Sequence, residues 1–103
     1  MIDLRILPEV FQDTAAAADW DDEKEFGIGD RFLSSFRSTD NPIRIKPHSF
    51  TIIYKNYRRV LLEPFPYAVY FRLHDEHAII ALVLRTARNP ATLRRMLRSR
   101  EKL

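Results

Sequence analysis

The side chains with most capacity for chemistry in this sequence are its arginines, and their positions matter more than their number. Arg85 and Arg88 stand at the end of the apolar run 78–84 and in the turn that follows it. From a rigid strand end a guanidinium can be presented to a phosphate or to an acidic partner. The competing structural role is ion pairing with Asp19, Asp21 or Glu23, all in an acidic stretch far upstream. Arg58, Arg59 and Arg72 fall in two neighbouring strand-like runs, where alternation of side chains allows only some of them to share a solvent face with Arg85. Arg94, Arg95, Arg98, Arg100 and Lys102 form the polar side of a short C-terminal helix.

Other reactive groups are sparser. His48 stands alone near two prolines and could act as an acid or base. His74 and His77 flank Asp75 and Glu76 in a polar turn, an arrangement that lacks the surrounding ligands of a metal site, so neither metal nor cofactor is expected. Tyr54, Tyr57, Tyr67 and Tyr70 could stack on nucleic-acid bases. Packing in a core with the hydroxyls at its edge is the alternative. No glycine-rich phosphate loop, serine-histidine-aspartate set or catalytic carboxylate pair is present.

Charge is distributed unevenly. Residues 1–30 hold two basic and nine acidic side chains, a balance of −7, whereas residues 31–103 hold fifteen basic and five acidic ones, a balance of +10. An excess of that size gives the second part a positive field suited to nucleic acid or an acidic protein segment, or simply to solubility. The chain of 103 residues, 46% of them hydrophobic, has the length for one domain spanning 1–103 and no cysteine for a disulfide framework or thiolate metal site. No apolar run approaches the roughly 18 residues of a membrane span, and the N-terminus does not read as a signal peptide. A cytoplasmic protein without membrane contact is expected.

The elements that must position these residues can be read from periodicity. Ile2, Leu4 and Ile6 alternate with Asp3 and Arg5, as in a short strand. Pro8 then suits the first turn of a helix running to about Glu25, with Val10, Phe11, Thr14, Ala15 and Ala18 at helical spacing. Its acidic end invites fraying, and Gly27 provides a stop. A second helix starts near Gly29 or Asp30, carries Phe32, Leu33 and Phe36 inward, and ends before Asn41-Pro42. Residues 42–57 read as a connection with some extended structure. Runs 58–62, 66–73 and 78–85 are strand-like, separated by Glu63-Pro64 and by the polar turn 74–77. The unbroken apolar run 78–84 fits a central strand covered on both faces. After Asn89-Pro90, Leu93, Met96 and Leu97 mark the last helix. The fold class is α+β, with a helical hairpin on a mostly antiparallel sheet in the order β-α-α-β-β-β-α.

Arg58-Arg59-Val60-Leu61-Leu62, the strand opening Phe65-Pro66-Tyr67, the run Leu82-Val83-Leu84 and the closing Arg88-Asn89-Pro90 together resemble the meander of the RelE/ParE family of type II toxins, including its plasmid stabilisation proteins. The helix with Ala15 to Ala18 and Trp20, and the segment Gly29-Asp30-Arg31-Phe32-Leu33, are similar to the same family. The resemblance implies a toxin held by a cognate antitoxin in a toxin-antitoxin hetero-oligomer, and, when free, acting on DNA gyrase or on ribosome-bound mRNA. Arg58, Arg59, Arg72, Arg85, Arg88, Arg94, Arg95 and Arg98 are the candidates for target or antitoxin binding. A ribosome-dependent nuclease would draw on Arg88, Arg85 and His48. The last helix offers Arg94 and Arg95 where RelE nucleases place a functional tyrosine, and the ending Ser99-Arg100-Glu101-Lys102-Leu103 lacks the histidine-tyrosine close of some relatives. Both departures point to a ParE-like toxin that binds its target without cleaving it. The antitoxin implied is a short, partly disordered chain that folds over apolar surface and basic face together.

Overall fold

In the computed structural model, which describes residues 1–101, the chain runs β1 (Asp3–Ile6), α1 (Pro8–Lys24), α2 (Ile28–Arg37), α3 (Asp40–Ile45), β2 (Ile52–Tyr54), β3 (Tyr57–Leu61), β4 (Tyr67–His74), β5 (His77–Arg85) and α4 (Pro90–Ser99). A single 3-10 turn, Pro47–Ser49, joins α3 to β2. Lys102, expected on the polar side of the last helix, lies outside the described residues.

One five-stranded sheet has the order β1-β5-β4-β3-β2. β1 pairs with β5 in parallel, and every other pairing is antiparallel. The meander expected from 58–85 is therefore present, with β5 at its inner end. His74 faces His77 across a tight turn in which Asp75 takes a φ of 54°, a conformation that a short polar side chain tolerates better than most.

The sheet separates two apolar clusters. α1 and α2 cover one face, where Val10, Phe32, Phe36, Val69, Phe71 and Ile80 are buried. α4 lies on the other, where Leu97 packs with Tyr57, Tyr70, Leu82 and Leu84. That is why residues 78–84 could be apolar without interruption. An irregularity beside Ala81, between the pairs Tyr70–Leu82 and Phe71–Ile80, shifts the alternation of β5, so that Ala81 and Leu82 both belong to the α4 side.

Three expectations need correction. Residues 42–57 are more than a connection, because they contain α3, the 3-10 turn and β2. α2 ends at Arg37, before Asn41-Pro42 as expected, yet that dipeptide does not prevent the separate helix α3. Pro42 sits in the first turn of α3, where its missing N–H has no intrahelical partner to lose. In α1 the buried stripe is Val10, Thr14, Ala17, Ala18 and Asp21, while Phe11 and Ala15 of the expected set are exposed. The hairpin is drawn so close that a Cβ built on Gly29 would lie 2.6 Å from the Ala18 carbonyl oxygen. The Gly29 N–H donates to the Asp22 carboxylate at 2.8 Å, and Asp21 is buried. The acidic end of α1 is thus partly built into the hairpin, whereas a solvated, fraying end was expected.

Candidate binding cleft and basic surfaces

β5 ends at Arg85, whose Cα partner on β4 is Tyr67. Directly paired residues share a face of the sheet, so Arg85 emerges on the α1 side. Its guanidinium carbon lies 5.5 Å from the Tyr67 ring centre and 6.0 Å from that of Trp20. The Lys24 ammonium lies 4.8 Å from the same Trp20 ring. Each such contact contributes about 0.5–1 kcal/mol at an exposed site, enough to orient a guanidinium without neutralising it. The anticipated pairing with Asp19, Asp21 or Glu23 is not formed.

The turn after β5 is fixed by backbone bonds, Thr86 N–H donating to Pro66 at 2.9 Å and Arg88 N–H to Arg85 at 3.2 Å. Next comes Asn89, whose side chain accepts from Ala91 N–H at 2.7 Å and caps α4. This geometry delivers Arg88 to the rim of a cleft of about 340 Å³ whose walls include Ala16, Trp20, Tyr67, Arg85 and Met96. Among the described residues neither Arg85 nor Arg88 has an ion-pair partner. Asp13 is the one carboxylate in the walls and is paired with Arg100, so a mostly apolar hollow with two uncompensated cations at its edge suits an anionic group attached to an apolar one.

Below the cleft sits a charge pair that is almost closed to solvent. Arg100 donates from Nη1 and Nη2 to the two carboxylate oxygens of Asp13 at 2.8 and 3.0 Å. Nη1 also donates to the Ala81 carbonyl at 2.9 Å, and Asp13 accepts from Val83 N–H at 3.1 Å. β1 stops at Ile6, so the edge of β5 beyond Ile80 has no strand beside it. The ion pair occupies that place and satisfies backbone groups there. Hydrogen bonding to Asp13 raises the Arg100 pKa above its ordinary value, against the effect of burial. This clamp ties α1, β5 and α4 together.

A second set of cations belongs to the α4 side of the sheet. Arg59 is opposite Tyr70 and Arg72 opposite Tyr57. Burial pushes both phenols up, an effect opposed by the neighbouring arginine in each case. At the β2 edge, Arg98 donates to the Tyr54 hydroxyl at 3.4 Å and Lys55 lies 5.4 Å from the Tyr54 ring centre. The Arg98 hydrogen bond is the largest influence lowering the Tyr54 pKa. Lys55 also reaches Glu101 at 3.5 Å. Arg94 and Arg95 are exposed on α4.

The remaining candidates are distributed elsewhere. Arg58 is opposite Phe71, on the helical-hairpin side, and donates to the carbonyls of Phe50 at 2.7 Å and His48 at 3.3 Å, which holds the segment before β2 in place. His48 itself belongs to the 3-10 turn leading into β2, the edge strand, and Arg88 follows β5 with β4 and β3 between. At about 4.8 Å per strand the two are not neighbours. The structure therefore does not assemble Arg88, Arg85 and His48 into one site. His77 contacts Arg5 at 3.1 Å and Asp3 at 3.7 Å, whereas His74 is beside Asp75 at 3.6 Å. Of the tyrosines, Tyr57, Tyr67 and Tyr70 are buried and Tyr54 is partly open.

Sequence reasoning located Arg85 and Arg88 but missed the pairing of Asp13 with Arg100 and the part played by Trp20. No local pattern announces contacts across 87 and 19 positions of chain. The exposed, single tryptophan in a helix was the one available signal.

The fold is shared with a chain from a solved structure of the chromosomal ParDE TA system from P. aeruginosa. The TM-score is 0.73 at 16% sequence identity, over 82% of this chain and 96% of that one. No protein-family model matches the sequence, and no curated protein matches it. The architecture implied by the meander and helical hairpin is thus found, and the likeness rests on backbone arrangement. No helix among the described residues is long and apolar enough to cross a membrane.

Proposed function

We propose that the chain is the toxin of a type II toxin-antitoxin system, ParE-like in acting by binding, with DNA gyrase as its candidate target and a cognate antitoxin as its inhibitor. The observation that carries this reading is the cleft formed on the shared fold: Arg85 held over two aromatic rings, with Arg88 beside it and no carboxylate paired to either. Such a surface recognises an acidic or phosphate-bearing partner through charge and an adjoining apolar contact. A cytoplasmic setting fits that partner set. The antitoxin supplies the counter-charges and covers the cleft.

Inducible expression tests the reading directly. Growth arrest on inducing the chain alone, relieved by co-expressing the gene beside it, is the expected result; normal growth in both cases refutes it.

A ribosome-dependent endoribonuclease is the second reading, and Tyr54 is the observation in its favour. With Arg98 donating to its hydroxyl at 3.4 Å and its pKa lowered, this phenol forms a phenolate more readily than an ordinary tyrosine, and the phenolate is the form that can accept a proton. Arg59 and Arg72 lie on the same side of the sheet, where they could stabilise a charged phosphorane. Mapping mRNA ends after induction separates the two readings, since cuts in register with codons belong only to the nuclease.

A further inference from the structure

The tip of the helical hairpin carries a side chain with no packing role in the monomer. Phe26 is 98% exposed, between Glu25 and Gly27 at the turn from α1 to α2. Glu23 and Glu25 beside it are also exposed. One exposed apolar side chain is ordinary on a protein surface. Here, however, it is set among carboxylates, and a cleft of the opposite character opens on the same molecule.

We propose that two copies of this chain form a symmetric dimer in which Phe26 of each enters the cleft of the other, between Trp20 and Met96, with Glu23 and Glu25 meeting Arg85 and Arg88. Three observations select a second copy as the occupant. The cleft, about 340 Å³, has walls that are mostly apolar apart from Asp13, whose charge Arg100 already meets, and two cations without counter-ions among the described residues. The hairpin tip offers the matching combination of an aromatic ring and carboxylates. The charges themselves are opposite, Glu23 and Glu25 at the tip against Arg85 and Arg88 at the cleft, with Lys24 the one cation between the two carboxylates and held over Trp20, so that tip and cleft attract across copies.

Geometry also favours closure. A knob and a distant hole on one molecule produce open chains of subunits, but a knob and hole near each other permit a two-fold dimer in which both contacts form at once. Trp20 lies one helical turn, about 6 Å of rise, before the end of α1 at Lys24. Cleft and tip therefore occupy the same end of the molecule, and antiparallel α1 helices bring each tip to the opposite cleft. The dimer covers Arg85 and Arg88, so any other ligand of the cleft competes with it. This inference does not depend on the chain being a toxin.

Sedimentation equilibrium of the purified full chain over a concentration series tests it, with the emission of Trp20, the one tryptophan, as a local reporter. A monomer–dimer equilibrium weakened by salt is expected, and Phe26→Ser should weaken it more than about tenfold, as loss of a central aromatic anchor does. The decisive experiment uses two charge reversals at exposed or partly exposed positions. Glu23→Arg with Glu25→Arg makes tip and cleft both positive; Arg85→Glu with Arg88→Glu makes both negative. Each double variant alone should be monomeric, and an equimolar mixture should recover a dimer of wild-type affinity or tighter, with the Trp20 emission shift restored. A wild-type chain that stays monomeric at millimolar concentration overturns the proposal. So does a dimer indifferent to Phe26→Ser, which would place self-association on another face, or a mixture that fails to reassemble.

Discussion

The cleft beside α1 and the α4-side surface are both cationic, yet they have been assembled to opposite ends. Around the cleft, Arg85 is oriented by aromatic rings, which hold a guanidinium without cancelling its charge. On the α4 side, Arg98 is engaged by the Tyr54 phenol and Lys55 by Glu101, while Arg59 and Arg72 act on the buried phenols of Tyr70 and Tyr57. Positive charge is thus held over apolar rings at the first surface, whereas at the second it is partly engaged by phenols and by Glu101, with Arg94 and Arg95 exposed beside it on α4. A count of arginines could not distinguish them. What sits against each guanidinium does.

The strongest way to disturb this comparison is to remove the clamp on which both surfaces rest. Asp13→Ala leaves the Arg100 charge in a site where its side chain is only 13% exposed. The loss should be about 3 kcal/mol, because an uncompensated charge in a mostly closed site costs more than the pair was worth. Adding Arg100→Met should recover much of it. Urea titrations of the single and double variants check this, and equal losses in both would mean that the desolvated charge is not the source. Next in size, Gly29→Ala should cost about 2 kcal/mol, since the new methyl group meets backbone at the α1–α2 contact. Gly27→Ala, at a φ of 89° but with open space around it, should cost about 1 kcal/mol. Thermal melts of the two variants order them, and a reversed order would show that the hairpin absorbs the methyl more easily than it tolerates the strained backbone.

The arginines can then be compared without disturbing the fold. Arg85→Gln with Arg88→Gln should abolish growth arrest at a cost in stability of about 1–2 kcal/mol, the two ring contacts of Arg85 being lost. Arg59→Gln with Arg72→Gln should leave arrest intact. If the second pair silences the chain and the first does not, the target site belongs to the α4 side and the nuclease reading gains.

Periodicity made the sheet and the hairpin legible because burial on one or two faces imposes it: the unbroken apolar run 78–84 marked a doubly covered strand, and Phe32 and Phe36 marked the inner side of α2. It could not reveal α3, where Asn41-Pro42 resembles a stop but Pro42 falls within the first turn, a position that asks nothing of its nitrogen. The site was half legible. Arg85 and Arg88 were marked by their place after the apolar strand, a local feature. Trp20 and the Asp13–Arg100 clamp depend on α1 and α4 meeting over the unpaired edge of β5, and no short stretch of sequence encodes that meeting. An acidic residue early in a helix, as Asp13 is, suits the helix dipole by itself, so its type and place give no prompt to look for a partner.

The smallest effects expected are those of pH on the phenols, and they separate Tyr54 at the β2 edge from the buried Tyr57 and Tyr70. Burial raises the pKa of Tyr57 and Tyr70 above the ordinary 10.0, so the unfolded chain loses those protons first. Their stabilising contribution is therefore complete below pH 10 and is lost as pH rises through the folded-state values. Tyr54 behaves in the opposite sense. Its lowered pKa means that the folded chain loses the proton first, so its contribution is present above pH 10 and disappears as pH falls through the folded value. Tyr54 is exposed to solvent screening and the other two are not, so stability should decline on the alkaline side of pH 10 despite it. Phenolate absorbance should show one early ionisation, shifted toward the ordinary value by Arg98→Gln and removed by Tyr54→Phe, followed by late ones that coincide with unfolding. If Tyr54→Phe leaves the early step in place, the phenol at the β2 edge is not the activated one, and the proton acceptor on which the nuclease reading relies is lost with it.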